Sequence, residues 1–292
     1  MPSFSQVNSF AGLHTRYGSA NFGFKANDRN RKYGDRHLYK PTAITKPRIN
    51  TSFELIQSFS VQKAGNEISE CEDIWNYVKG DRLFSIALSD GATESSFSQE
   101  WAKELVTAFI NHDSSKSSWL KKSQQNWQQW LENQNLSWFA KRKVGQGAFA
   151  TFLGLEIFDD LSWKAIAVGD SCLFVVRNCE LRITNYELRK SFPLKQSEEF
   201  SNRPRLIGTY SNTEQICFPE INGNAKIGDR FYLTTDAIAC WIFMQLEANQ
   251  DPWVKLDEIS SQDMFANWVN ELRDRHEIAN DDTTLLCLEI KR

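Results

Sequence analysis

Four aspartates sit at the ends of strand-like apolar runs, and this placement restricts the folds open to the chain. Asp90 closes the run Leu83–Ser89, Asp170 follows Lys164–Gly169, and Asp236 follows Phe231–Thr235. Asp281 instead precedes the run Thr283–Ile290. In an antiparallel sheet the end of one strand lies beside the start of its neighbour, so these acids can share one rim. Carboxylates crowded together cannot all stay ionised without a compensating charge. Hard divalent cations bound through oxygen supply that charge. The pattern points to a metal centre built from residues far apart in sequence. Taken alone, an acid such as Asp170 reads as a turn carboxylate accepting backbone amides.

The rest of the chain supplies the sheet. Strands are expected over Phe53–Val61, Asp73–Tyr77, Leu83–Ser89, Ala148–Phe158, Ser162–Val168, Cys172–Arg177, Glu180–Thr184, 215–220, 229–235 and 283–290. Ser96 and Gln99 have capping-box spacing before a helix that carries Trp101, Leu105, Ala108 and Phe109 on one face. Residues 117–142 read as a single Trp-rich helix, and helices are expected over 237–247 and 262–275. Residues 186–214, with Pro193 and Pro204, read as a long irregular loop beside the site. Strands outnumber helices, and the helices fall in two blocks. The expected class is α+β: a four-layer α-β-β-α sandwich of two antiparallel sheets flanked by helices.

Composition sets the remaining limits. The hydrophobic fraction of 41% and the 10 Trp support a substantial core. No apolar stretch is long enough for a bilayer, and the first fifty residues hold no signal core, so a cytoplasmic protein without a membrane partner is expected. The six Cys show no CxxC pair and no His at zinc spacing, which favours reduced, buried thiols. The net charge of -3 hides an asymmetry: residues 1–50 carry 9 Lys/Arg against 2 acids, and the remainder is net acidic. The expected organisation is a basic, flexible arm over residues 1–50 and a catalytic domain over residues 51–292. The arm has no heptads, basic helix or zinc pattern, so nucleic acid is not an expected partner. A two-metal nuclease ranks last, because it needs a basic channel around the acids and the basic residues cluster in residues 1–50, away from them.

Six motifs in order resemble the metal-dependent protein phosphatase family, protein phosphatase 2C. They are Glu72-Asp73, Ser89-Asp90-Gly91, Gly147-Ala148-Phe149-Ala150-Thr151, Val168-Gly169-Asp170-Ser171, Thr235-Asp236-Ala237 and Asp281-Asp282-Thr283-Thr284, and together they cover roughly residues 52–290. The details are similar to a divergent bacterial branch. The resemblance implies two Mn2+ or Mg2+ ions, with a weaker third position. Asp90 would bridge the two ions, the Gly91 carbonyl would bind one, and Asp236 and Asp281 would bind the other. Asp170, with Asp236, matches the third position, and Asp73 would act through a metal-bound water. Asp282 and Glu94 are further candidates for the rim. The implied reaction is hydrolysis of phosphoserine or phosphothreonine by a hydroxide bridging the two ions. The implied partner is a phosphorylated protein, a kinase or its target, met by a monomeric enzyme.

Two departures stand out. Ala92 takes the place of the His that serves as general acid in eukaryotic members. The phosphate-holding Arg upstream of the acidic pair has no counterpart: its spacing lands on Ile68, with Lys63 nearby. They motivate a second expectation, a pseudophosphatase that binds phosphoproteins or regulates without turnover.

Overall fold

Two five-stranded antiparallel sheets face each other, and each covers its outer face with helices. The computed structural model describes residues 52–112, 119–178 and 186–292. The basic arm and the strand expected at Glu180–Thr184 fall outside these residues. One sheet has the order β1-β12-β11-β7-β8, formed by Ser52–Val61, Thr283–Lys291, Asp229–Thr234, Cys172–Asn178 and Tyr186–Phe192. The other has the order β10-β6-β5-β3-β2, formed by Glu220–Asn224, Ser162–Val168, Phe152–Phe158, Leu83–Asp90 and Asp73–Lys79. Short strands β4 (Phe149–Ala150) and β9 (Ile207–Gly208) pair separately. Helices α1 (Ser98–Ile110), α2 (Trp119–Glu132) and α3 (Trp138–Val144) follow β3, and α4 (Asp236–Glu247), α5 (Pro252–Glu258) and α6 (Gln262–Asp274) follow β11. The α+β four-layer expectation holds.

Period-two alternation builds three apolar layers from these strands. Ile86, Leu88, Leu153, Leu155, Leu173, Phe231, Leu286 and Leu288 point between the sheets. Phe174, Val176, Tyr232, Leu285 and Cys287 face the other way, against Ile242, Trp253, Phe265 and Leu272 of α4–α6. Ala87, Phe152 and Val168 pack under Trp101, Leu105, Trp119 and Trp127 of α1 and α2. The inner strands are covered on both faces, so together they hold more apolar residues than polar ones. Each large side chain buried this way contributes about 1.5–3 kcal/mol. Among the described residues no helix is long and apolar enough to cross a membrane.

Several local expectations fail for identifiable reasons. The segment expected to be one helix breaks after Glu132, where the Asn133 amide side chain donates to the Gln129 carbonyl (2.8 Å) and its own N–H turns back to Trp130 (3.1 Å). The capping box at Ser96 does not form. Phe97 caps α1 in the left-handed region (φ 62°), and Gln99 donates to the Cys71 carbonyl at 2.7 Å instead. Residues 186–192 form edge strand β8 rather than loop, its alternation masked by the charged residues that edge strands carry. Ile216 and Phe218 pack toward α1 and α2, so the strand expected at 215–220 forms later, at β10. Helix α5 carries no expectation from the sequence. Cys172 and Cys287 are buried as expected, but Cys217 is exposed.

Candidate metal centre

Strand register brings the acidic motifs to one end of the sandwich. Asp73 at the start of β2 lies directly opposite Asp90 at the end of β3. On the facing sheet Thr234, the last residue of β11, pairs with Leu285 of β12 and with Cys172 of β7. Asp236 after β11, Asp281 before β12 and Asp170 before β7 therefore converge on the same rim. A cavity of about 750 Å³ opens there, lined by Asp90, Gly91, Asp170, Asp236 and Asp281. Asp73 lies behind it, buried between the sheets.

The remaining motif residues hold these acids in place. The Thr151 N–H donates to the Asp90 carbonyl (2.8 Å), and the Asp90 N–H donates to Thr151 Oγ1 (3.1 Å). Thr151 Oγ1 also meets Ser171 Oγ at 3.0 Å, which ties the Asp170 turn to Asp90. Gly169 has φ +106°, and a Cβ there would stand 2.7 Å from the Thr151 side chain. Gly91 answers a close approach: a Cβ would lie 2.9 Å from the backbone carbon of Ser98. The Gly91 carbonyl accepts no hydrogen bond from the described residues.

The acids divide into two kinds. Asp282 is a clasp: its Oδ1 accepts the Lys63 N–H (2.8 Å) and its Oδ2 the Glu72 N–H (2.7 Å). Both oxygens thereby clamp the loop after β1 and the start of β2 to the segment ahead of β12. Glu72 accepts the Ser98 hydroxyl and so anchors the start of α1. Glu94 lies exposed in the turn ahead of α1, at the cavity wall. Asp73 Oδ2 accepts the hydroxyls of Thr284 (2.7 Å) and Thr235 (3.1 Å) across the gap between sheets. Its Oδ1 is buried with no hydrogen-bond partner. The Asp90 carboxylate has no hydrogen bond or ion pair from the described residues, and Asp236 Oδ1 accepts only the adjacent Ala237 N–H (2.6 Å).

Crowding shows in the proton affinities. Burial, then the charges of Asp73, Asp236, Asp281 and Asp170, holds the Asp90 carboxyl well above the usual carboxylate range, although the residue keeps some surface in the cavity. Asp73 is likewise raised by burial, against its threonine bonds. Asp236 is pushed up to about 7 by burial, Asp170 and Asp281, and Asp170 to about 6 by burial and Asp281. Among the described residues Lys63 forms an ion pair with the cluster. Lys63 Nζ lies 2.9 Å from Asp281 and donates to Thr93 Oγ1. Burial acts to lower its pKa, but the Asp281 bond and the charges of Asp281, Asp282 and Glu72 raise it. Ile68, at the spacing expected for a phosphate-binding arginine, is exposed. The sequence marked Lys63 only by its nearness to the position of the missing arginine, and it placed Thr235 and Thr284 in motifs without linking their hydroxyls to Asp73.

Among the described residues no three His, Cys, Asp or Glu side chains already stand as a closed ligand set. Asp281 is paired with Lys63, and two threonines hold Asp73. The donor chemistry nevertheless fits a hard divalent ion. All the candidate groups are oxygens, and Asp73 Oδ1 lacks the partner that a buried acceptor requires.

Neither family models nor curated protein sequences match the chain. Solved structures do. A serine/threonine phosphatase of S. agalactiae shares 14% identity, with a TM-score of 0.51 over 82% of this chain and 99% of that one. The photosystem II phosphatase PBCP shares 14% identity, with a TM-score of 0.50 over 82% of this chain and 99% of that one. The order of the two sheets, the flanking helices and these neighbours establish that the chain has the fold of the phosphatases of the protein phosphatase 2C type, in a divergent sequence.

Proposed function

We propose that the chain is a metal-dependent phosphatase that hydrolyses phosphoserine or phosphothreonine in proteins. The observation that carries this reading is the convergence of Asp90, Asp170, Asp236 and Asp281 on one cavity, backed by Asp73. Two Mn2+ or Mg2+ ions, when bound, supply a nucleophilic water and neutralise phosphoryl oxygens. Asp90 and the Gly91 carbonyl, with Asp236 and Asp281, would hold these two ions, Asp170 a third, and Asp73 the inner edge of the site. Lys143 and Arg203 line the same cavity, where cations meet the oxygens of a phosphorylated side chain. The partner on this reading is a phosphoprotein, a kinase or its target. The fold supports the reading, since both neighbours are phosphatases by name.

The test is release of phosphate from an aryl phosphate with and without manganese. Wild type is expected to need the metal, and Asp90→Asn and Asp236→Asn to lose the activity. Unchanged rates in both variants would mean that the activity arises elsewhere. One observation favours a second reading, a pseudophosphatase: Asp281 is already neutralised by Lys63. Calorimetry showing no heat of Mn2+ or Mg2+ binding at millimolar concentration would select it.

A further inference from the structure

Lys63 places a positive charge on the carboxylate that the proposed metal centre requires. Its Nζ stands 2.9 Å from Asp281 Oδ1, and the same oxygen accepts the Asp282 N–H at 2.8 Å. A divalent ion at the remaining oxygen of Asp281 would stand within a few ångströms of the ammonium, with like charges facing. The backbone under this lysine is fixed. The Lys63 N–H donates to Asp282 Oδ1 (2.8 Å) and the Ala64 N–H to Asn280 Oδ1 (2.8 Å), so the loop after β1 is clamped to the segment that carries Asp281. Only the side chain can move. Its flexible four-carbon stem permits that, and Thr93, its other partner, lies on the cavity wall.

We propose that Lys63 is a built-in counter-ion that competes with divalent metal for Asp281, so that metal loads only as the ammonium swings away. The lysine thereby sets the metal concentration at which the centre fills, and it shields the acidic rim when metal is scarce. This rests on the reading of the rim as a metal centre.

Calorimetric titration of Mn2+ into the full-length wild type, Lys63→Met and Lys63→Arg tests it, with circular dichroism confirming that each is folded. Lys63→Met is expected to bind Mn2+ about tenfold more tightly than wild type, equivalent to ~1.4 kcal/mol. Lys63→Arg, which keeps the charge, is expected to stay near the wild-type affinity. Unchanged or weaker binding by Lys63→Met would overturn the competition while leaving the metal centre standing. Equal tightening in both variants would overturn it too, since shape rather than charge would be responsible. Absence of Mn2+ binding in all three proteins would remove the metal centre and the proposal together.

Discussion

Replacing Asp170 with asparagine should stabilise the metal-free protein, a result opposite to that of most buried substitutions. Asp170 is only 7% exposed and carries a carboxyl raised from the usual 3.8 to about 6 by burial and by Asp281. The folded state therefore holds this proton more tightly than the unfolded chain does. By linkage, stability falls as pH rises from about 4, and the loss is complete once pH passes about 6. A shift of about two units corresponds to a ceiling of ~3 kcal/mol of destabilisation at pH 7. Relaxation of the turn and entry of water reduce this, so about 1.5 kcal/mol is expected. For a domain of this size that is a rise in melting temperature of roughly 3–6 °C. Asparagine keeps the shape and removes the charge. The assay is thermal unfolding of wild type and Asp170→Asn in a chelator, at pH 4 and at pH 7. The two proteins should melt together at pH 4 and separate at pH 7, with the variant higher. A variant that melts lower at pH 7, or a difference independent of pH, would refute the idea that repulsion and burial strain this carboxylate.

Other consequences follow from packing. Gly91→Ala drives a methyl to within 2.9 Å of the Ser98 backbone and should cost about 1–3 kcal/mol, read as a lower urea midpoint. A midpoint within error of wild type would show that the start of α1 can retreat. Among the described cysteines, exposed Cys217 should react first with a chromogenic disulfide reagent in the native protein. Cys172 and Cys287 should react only on unfolding, since burial encloses both and raises their thiol pKa values. Fast labelling of either would contradict the packing beneath α4–α6.

The sequence by itself determined the layered class, because strand-like runs such as Leu83–Leu88 and Thr283–Ile290 outnumber the helices, and the helices fall in two blocks that can each cover one sheet. It also located the acids, because strand ends in an antiparallel sheet alternate between its two edges. It could not locate β8, whose charges suit an edge, or the break after Glu132, where an asparagine side chain satisfies a carbonyl of the preceding turn. Nor could it sort the acids by role. Asp281 and Asp282 are neighbours of identical chemistry, yet one faces the cavity and a lysine while the other is spent on two backbone amides. Only the meeting of β1, β2 and β12 decides this, because hydrogen-bond partners more than 200 residues apart in the chain are fixed by the register of β1 on β12 and by the packing of the two sheets, not by any local pattern.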